Sequence, residues 1–385
     1  MESIRSAQEK FAELIKSEFE RIERMKKDVE IKDHSKQEEI IVGILPGDGI
    51  GPIIMEQAVR VVSELASTEI SNGKIKLYEI KGMTIEERVE QMESLPEAVM
   101  EEIKKCDVIV KGPMVTPCHG DGMPNLVSAN SLLRRGLDLY AAVRPIRIVE
   151  KGIDWTFFRE NIEGEYILGN KGIPVTEELA FDFKVQTKLG TERIARAAFE
   201  FARKNHKKNV TIVTKNNIVK LTDGNFVKEI RRVGLEYPEI EIQERLVDAM
   251  SAKMLDAEFN KGIEVVVLPN LYGDIVTDVA AEHQGGLGTA SSSNIGNKYA
   301  MFEAIHGTAP FLMANGRGDY ADPCSLIRAM GMMLQHIGYG EYTQKLNKAL
   351  DICTVTEKKV VLTTFANDAS AAEFTDYLIE TLRSL

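Results

Sequence analysis

Asp274 and Asp278 stand four residues apart in the run Asn270-Leu271-Tyr272-Gly273-Asp274-Ile275-Val276-Thr277-Asp278, directly after the apolar stretch Val265–Leu268. A buried strand over 265–268, followed by a helix starting near Gly273, turns both carboxylates to one side at the strand's C-terminal end. That arrangement suits a divalent cation. An oxygen-only ligand set with no Cys or His pair close by favours Mg²⁺ or Mn²⁺ over Zn²⁺. In isolation, such a pair is more often a capping aspartate and a solvated one, so its meaning depends on what else the chain brings to it.

Upstream lie Ser128-Ala129-Asn130-Ser131-Leu132-Leu133-Arg134, then Asp138-Leu139-Tyr140-Ala141-Ala142-Val143-Arg144-Pro145, then Arg159-Glu160-Asn161-Ile162-Glu163-Gly164-Glu165-Tyr166. Arg134, Arg144 and Arg159 fall on successive elements, with strands expected over 137–143 and 155–158. Each guanidinium can grip a carboxylate through two parallel N–H···O bonds, which a lysine cannot imitate. One arginine alone is usually a surface ion pair. In a chain of net charge −11, a local cationic cluster is not a by-product of composition.

The elements that must position these residues follow an α/β alternation. Strands are expected over 40–45, 75–80 and 108–111, with helices over 53–66 and 95–105, which makes the sheet mostly parallel. Gly47, Gly49 and Gly51 follow the first strand, but their G-x-G-x-G spacing is not that of a dinucleotide fingerprint, and no Lys-Ser/Thr follows as in a phosphate-binding loop. The 385 residues, 44% hydrophobic and 28% charged, suit two domains with ample core. No apolar run approaches membrane-spanning length, so no membrane is expected. The acidic balance argues against nucleic acid as a partner. Cys106, Cys118, Cys324 and Cys353 show no paired spacing, as expected of free thiols in a reducing, cytoplasmic setting. Residues 1–39 read as an N-terminal helical extension, with Ile4, Phe11, Ile15, Ile22, Met25 and Val29 at roughly helical spacing, packing on the body or on a second subunit. The segment is too acidic for a mitochondrial transit peptide.

Taken in order, Gly47-Asp48-Gly49-Ile50-Gly51-Pro52, the arginine set, Lys215-Asn216-Asn217, Val247-Asp248-Ala249, the Asn270–Asp278 run, Gly285-Gly286-Leu287-Gly288, Asn294-Ile295-Gly296 and His306-Gly307-Thr308-Ala309-Pro310 resemble the β-decarboxylating dehydrogenases, the isocitrate and 3-isopropylmalate dehydrogenase family. The resemblance runs from about residue 40 to 385. It implies that family's two-domain α/β fold with a mostly parallel sheet, not a Rossmann fold. A large domain would comprise 40–139 and 285–385, and a small one, carrying the dimer interface, 140–284. It also implies Tyr166 as proton donor and Lys215 beside the substrate hydroxyl. Asp248, Asp274 and Asp278 would be the metal ligands, and Ser128, Asn130, Arg134, Arg144 and Arg159 the substrate-binding set. Thr116, His306, Gly307, Thr308, Ala309 and Asp322 would meet the cofactor. In the family the lysine and the Asp248-type aspartate reach into a neighbouring protomer, so a homodimer with shared active sites is implied. Taken singly, Asp248 and Ser128 could each be a helix cap.

The substrate expected is a small 2-hydroxy acid that is oxidised and decarboxylated. Ser128 and Asn130 stand where isocitrate-specific members meet the γ-carboxylate, and burying them unpaired against an isopropyl group would cost about 1–3 kcal/mol each. Isocitrate is therefore expected ahead of 3-isopropylmalate, homoisocitrate or tartrate. Non-catalytic regulatory subunits of hetero-oligomeric relatives betray themselves by losses at catalytic positions, and none is lost here. For the nicotinamide, NAD is expected, with NADP possible. Phe311 and Leu312 match neither the Asp nor the Lys/Tyr pattern that follows H-G-T-A-P in the family, and Arg317 could supply a phosphate contact.

Overall fold

The computed structural model describes residues 2–118, 120–148, 151–169, 171–365 and 369–385. It divides into two compact units. One comprises Lys32–Leu137 with Ala281–Leu385, and the other the N-terminal residues up to Ile31 with Asp138–Ala280. Strands flanked by helices build both, and most strand pairs are parallel.

In the first unit the strand order is Ile75–Glu79, Ile40–Leu45, Val108–Lys111, Ala300–Ala304, Ser291–Ile295, and only the last pair is antiparallel. The apolar runs of 40–45 and 108–111 carry little alternation because helices cover both faces of a parallel sheet. Val42, Ile44, Val108, Val110 and Phe302 share one core with Ile54, Met330 and Leu378. The helix expected over 53–66 starts two residues earlier, at Gly51, since Pro52 fills a first-turn position whose missing N–H has no partner to lose. The one expected over 95–105 starts at Glu97, with Pro96 just outside it.

In the second unit, Ala141–Ile148 and Ile153–Glu160 form an antiparallel hairpin. The strands Val265–Leu268, Asn209–Thr214 and Glu241–Leu246 then follow in parallel. The strand expected over 137–143 begins only at Ala141, because Leu137 closes the helix Ala129–Gly136 and Asp138 adopts φ 49°. Phe158, Val210, Ile212, Val265 and Val267 pack against Ile194, Phe199 and Ile230 of the covering helices. Glu241–Leu246 is a polar edge strand with no apolar run to announce it. The N-terminal helix spans Glu2–Lys27, stopping before the polar stretch expected to end it, and belongs to this unit.

Candidate active site

The strand Val265–Leu268 is buried along its length, and the helix Asn270–Gln284 starts two residues after it. Asp274 and Asp278 therefore lie one turn apart on one helical face. Arg144 and Arg159 come from the two strands of the hairpin and reach that face. Arg144 Nη1 donates to Thr277 Oγ1 at 2.6 Å and to Asp278 Oδ1 at 2.9 Å, while its Nη2 lies 3.7 Å from Asp274 Oδ1. Arg159 Nη1 donates to Asp274 Oδ1. Asn270 fixes Arg159: its Oδ1 accepts from Nε at 3.0 Å and Nη2 at 2.8 Å, and its Nδ2 donates to the Glu163 carbonyl at 2.8 Å. Gly273 is required here because a Cβ would stand 2.5 Å from Arg159 Cγ, so the arginine stem lies where any side chain would be.

Tyr166 Oη donates to Asp274 Oδ2 at 3.0 Å. Burial and the adjacent Asp274 carboxylate push the phenol up to about 12, so it holds its proton at neutral pH and can deliver it to a developing carbanion. Burial also raises Asp278; Arg144 opposes the shift and the charge of Asp274 adds to it. The two guanidiniums are 5% and 1% exposed, but the carboxylates they hold remain 46% and 35% exposed. Hard oxygens one turn apart, mutually repelling and open to solvent, fit a divalent cation. Among the described residues of this one chain, however, no three His, Cys, Asp or Glu side chains gather as a metal site. Asp248, in the first turn of the helix Val247–Ala252, is instead paired with Lys215 Nζ at 2.7 Å. That partner pulls its carboxyl down. The Lys215 amide is held by the buried Asp223, Oδ2 at 2.8 Å.

The other expected residues belong to the first unit. Asp48 organises their loop by accepting from the amides of Val115 and Ile85, each at 2.7 Å, and from Arg88 Nη2 at 2.8 Å. The glycines around it allow contact between backbones: a Cβ on Gly49, at φ +59°, would stand 2.3 Å from the Thr308 carbonyl oxygen. Thr116, exposed beyond Val115, donates to Ser128 Oγ at 3.4 Å. Ser128 is the N-cap of the helix Ala129–Gly136, and Asn130 Oδ1 is buried with no hydrogen-bond partner. Arg134 is committed on one side, its Nη2 donating to Glu303 Oε1 at 3.0 Å. Burial alone would raise the Glu303 carboxyl, but Lys111 and Arg134 hold it well below the usual range. His306 Nδ1 lies 3.0 Å from the Gly307 carbonyl, its Nε2 is buried without a partner, and burial lowers its pKa. Exposed Gly307 and half-buried Thr308 and Ala309 lead into the helix Pro310–Ala314, with Ala309 at φ 49°. Asp322 accepts from the Cys324 amide at 2.8 Å, and burial raises its carboxyl.

Asn270, Thr277, Asp223 and Asp48 were not foreseen as positioning groups. Asn270 and Thr277 lie inside the motif already singled out, but the side chains they orient come from distant strands.

Mostly parallel sheets with covering helices thus carry a carboxylate pair gripped by two arginines beside a tyrosine. The family model for isocitrate/isopropylmalate dehydrogenase matches residues 41–378, and the chain belongs to that family. It is 37% identical to a mitochondrial regulatory subunit of the NAD isocitrate dehydrogenase of Dictyostelium discoideum, over 88% of this chain and 91% of that one. It is 36% identical to the NADP isocitrate dehydrogenase of Rickettsia prowazekii, over 80% of this chain and 62% of that protein. The crystal structure of isocitrate dehydrogenase from Methylococcus capsulatus superposes with a TM-score of 0.78 at 34% identity, covering 89% of this chain and 99% of that one. Among the described residues no helix is long and apolar enough to cross a membrane.

Proposed function

We propose that the protein oxidatively decarboxylates isocitrate to 2-oxoglutarate, passing a hydride to a nicotinamide, NAD ahead of NADP, with Mg²⁺ or Mn²⁺ held by Asp274 and Asp278 of one copy and Asp248 of another. The observation that carries this reading is the Tyr166–Asp274–Arg159 arrangement: a phenol kept protonated beside a carboxylate that two guanidiniums orient. When bound, the metal ion supplies positive charge that acidifies the substrate hydroxyl and stabilises the enolate left by decarboxylation. Arg144 and Arg159 would share their donors between Asp274, Asp278 and the substrate carboxylates. Lys215, once it has released the proton it carries in its pair with Asp248, takes the hydroxyl proton, and Tyr166 returns a proton to the carbon that loses CO₂. Lys215 and Asp248 pair with each other, and the family resemblance implies that both serve the site of a second copy, so the assembly proposed is a homodimer with shared sites.

Ser128 and Asn130 favour isocitrate. The partnerless amide oxygen of Asn130 and its amide nitrogen are interchangeable by rotation, and in the rotated state the group presents a donor to a carboxylate. An isopropyl group would leave it unpaired. Retention of Tyr166, Lys215 and all three aspartates favours a catalytic over a regulatory subunit. The deciding assay combines purified protein and Mg²⁺ or Mn²⁺ with isocitrate, 3-isopropylmalate, homoisocitrate or tartrate, and with each nicotinamide. Isocitrate with NAD should give the highest kcat/KM, and Ser128→Leu with Asn130→Leu should narrow the gap to 3-isopropylmalate. Wild-type preference for 3-isopropylmalate refutes the polar-arm argument. No turnover with any acid refutes the catalytic reading, and full turnover in excess chelator refutes the metal.

A further inference from the structure

The helix Glu2–Lys27 lies ahead of the family match, which begins at residue 41. It nonetheless sends one charged side chain into the interior of the unit that carries Tyr166. Arg21 Nη2 donates to Glu163 Oε1 at 2.6 Å, with the two side chains only 13% and 4% exposed. We infer that Arg21 is a positioning residue for the active site, acting through Glu163 on Tyr166 and Arg159; this rests on the reading of function above.

Each link in that chain is short. The Glu163 carboxylate also accepts from the Thr187 amide at 2.8 Å and the Thr187 hydroxyl at 2.5 Å, so it is fixed at the start of the helix Lys188–Lys204. Gly190 makes room for it, since a Cβ there would stand 2.4 Å from Glu163 Oε1. The Glu163 carbonyl accepts from Asn270, the residue that holds Arg159 on Asp274. Three residues beyond Glu163 comes Tyr166, whose hydroxyl meets the same Asp274. Between them Gly164, at φ +78°, would place a Cβ 3.1 Å from Asn270 Cβ, so the loop lies against Asn270 with no slack.

Among the described residues, carboxyl groups outnumber cations in this interior, and Arg21 supplies one of the two cations, with Lys184, that hold them. Glu160 is buried next to Glu163, accepting from its amide at 2.7 Å, and burial together with the Glu163 charge pushes the Glu160 carboxyl up to about 8 while Arg21 opposes that shift. From its own helix Glu18 shares the guanidinium at 2.8 Å. Lys184, which with Glu160, Glu163 and Asp223 lines a cavity of about 10 Å³, is taken up by Asp223 at 2.6 Å and Glu165 at 3.3 Å. Removing Arg21 therefore leaves the Glu163 carboxylate buried beside Glu160 without its cation, which destabilises the loop that carries it. The loop is the one that places Tyr166 and braces Asn270. The residues expected to meet the nicotinamide sit in the other unit and have no part in this network.

The test compares Arg21→Met, Arg21→Lys, Glu163→Gln and the Arg21→Met/Glu163→Gln double variant in the full chain, with kcat, both KM values, melting temperature and the ¹³C signal of labelled tyrosine assigned through Tyr166→Phe. Arg21→Met should lower kcat with isocitrate roughly tenfold, within the range by which indirect residues modulate a site, and leave the KM for nicotinamide unchanged. Arg21→Lys should restore part of the loss. In the Glu163→Gln background Arg21→Met should change kcat less than twofold, because the carboxylate it served is gone. A lower melting temperature with unchanged kcat would make Arg21 a structural clamp only and overturn the inference, as would an equal loss in both backgrounds. If wild-type protein turns over no acid at all, the reading of function falls by itself. The Tyr166 signal then decides this one: a shift in Arg21→Met that Arg21→Lys reverses supports it, and an unmoved signal overturns it.

Discussion

The carboxylate cluster around Asp274 and the glycine loops around Asp48 are built on opposite principles. Around Asp274, side chains position side chains: Arg144, Arg159, Asn270, Thr277 and Tyr166 converge from two strands, a loop and a helix. Around Asp48, backbone positions backbone, with Gly49 against the Thr308 carbonyl and one buried carboxylate gathering the amides of Ile85 and Val115. In the proposed reaction the first arrangement places charge where charge develops, and its strength depends on each partner's ionisation. The second supplies shape and amide groups that do not titrate. Damage to the former should appear in turnover, whereas damage to the latter should appear in cofactor affinity and folding.

The largest expected effects lie at the two groups proposed to move protons, Tyr166 in the charged cluster and Lys215 beside Asp248. Lys215→Met and Tyr166→Phe should each lower kcat by about 10²–10⁴-fold with little change in melting temperature. When the two inactive variants are mixed and their protomers exchange, activity should partly return, because one hybrid site regains both residues. Absence of recovery after exchange has been verified by mass spectrometry would argue that both residues serve the site of their own chain.

Glu303 tests the contrast from the other side, since it is a charged cluster in the glycine-loop unit with an architectural role. Glu303→Gln should destabilise the fold by about 3–5 kcal/mol at neutral pH, as expected when a buried pair loses one partner, because Lys111 and Arg134 are left without their anion. The folded pKa of Glu303 lies below its ordinary value, so its contribution is complete above the ordinary carboxyl range and disappears as pH falls through the folded value. Urea melts at several pH values should therefore show a shallower acid limb in the variant.

Two glycine substitutions set the regions side by side. Gly273→Ala should displace Arg159 and reduce kcat/KM for isocitrate by roughly 10²-fold, as a 1 Å misplacement can, because the new Cβ meets the arginine stem at 2.5 Å. Gly49→Ala should instead raise the KM for the nicotinamide and cost about 1–3 kcal/mol of stability from positive-φ strain. Equal effects on the same kinetic parameter would erase the distinction. The smallest effect is expected at Arg317, which lies 5.3 Å from the rings of both Phe311 and Phe365. Arg317→Ala should change NAD use little, and Phe311→Lys should improve NADP use by adding a partner for the 2′-phosphate. A wild-type NADP preference lost in Arg317→Ala would reverse the cofactor assignment.

Much of the molecule was legible before any coordinates. The α/β class and the strands 40–45, 108–111 and 265–268 followed from apolar runs bounded by Gly, Pro and Asp, because burial on both faces leaves that signature. Polar edges left none, so Glu241–Leu246 went unseen, and the strand at Ala141 was misplaced by a left-handed Asp138 that apolar counting ignores. Sequence spacing put Asp274 and Asp278 on one face because helical periodicity is local. It had no means to show that Asn270 turns Arg159 onto Asp274, that Lys215 and Asp248 pair with each other, or that Arg134 is bound to Glu303. Nor could it bring Arg21 to Glu163, across 142 residues of chain. Such contacts depend on how distant strands and helices pack, and the residue types reveal what each group can bind but not which partner packing delivers to it.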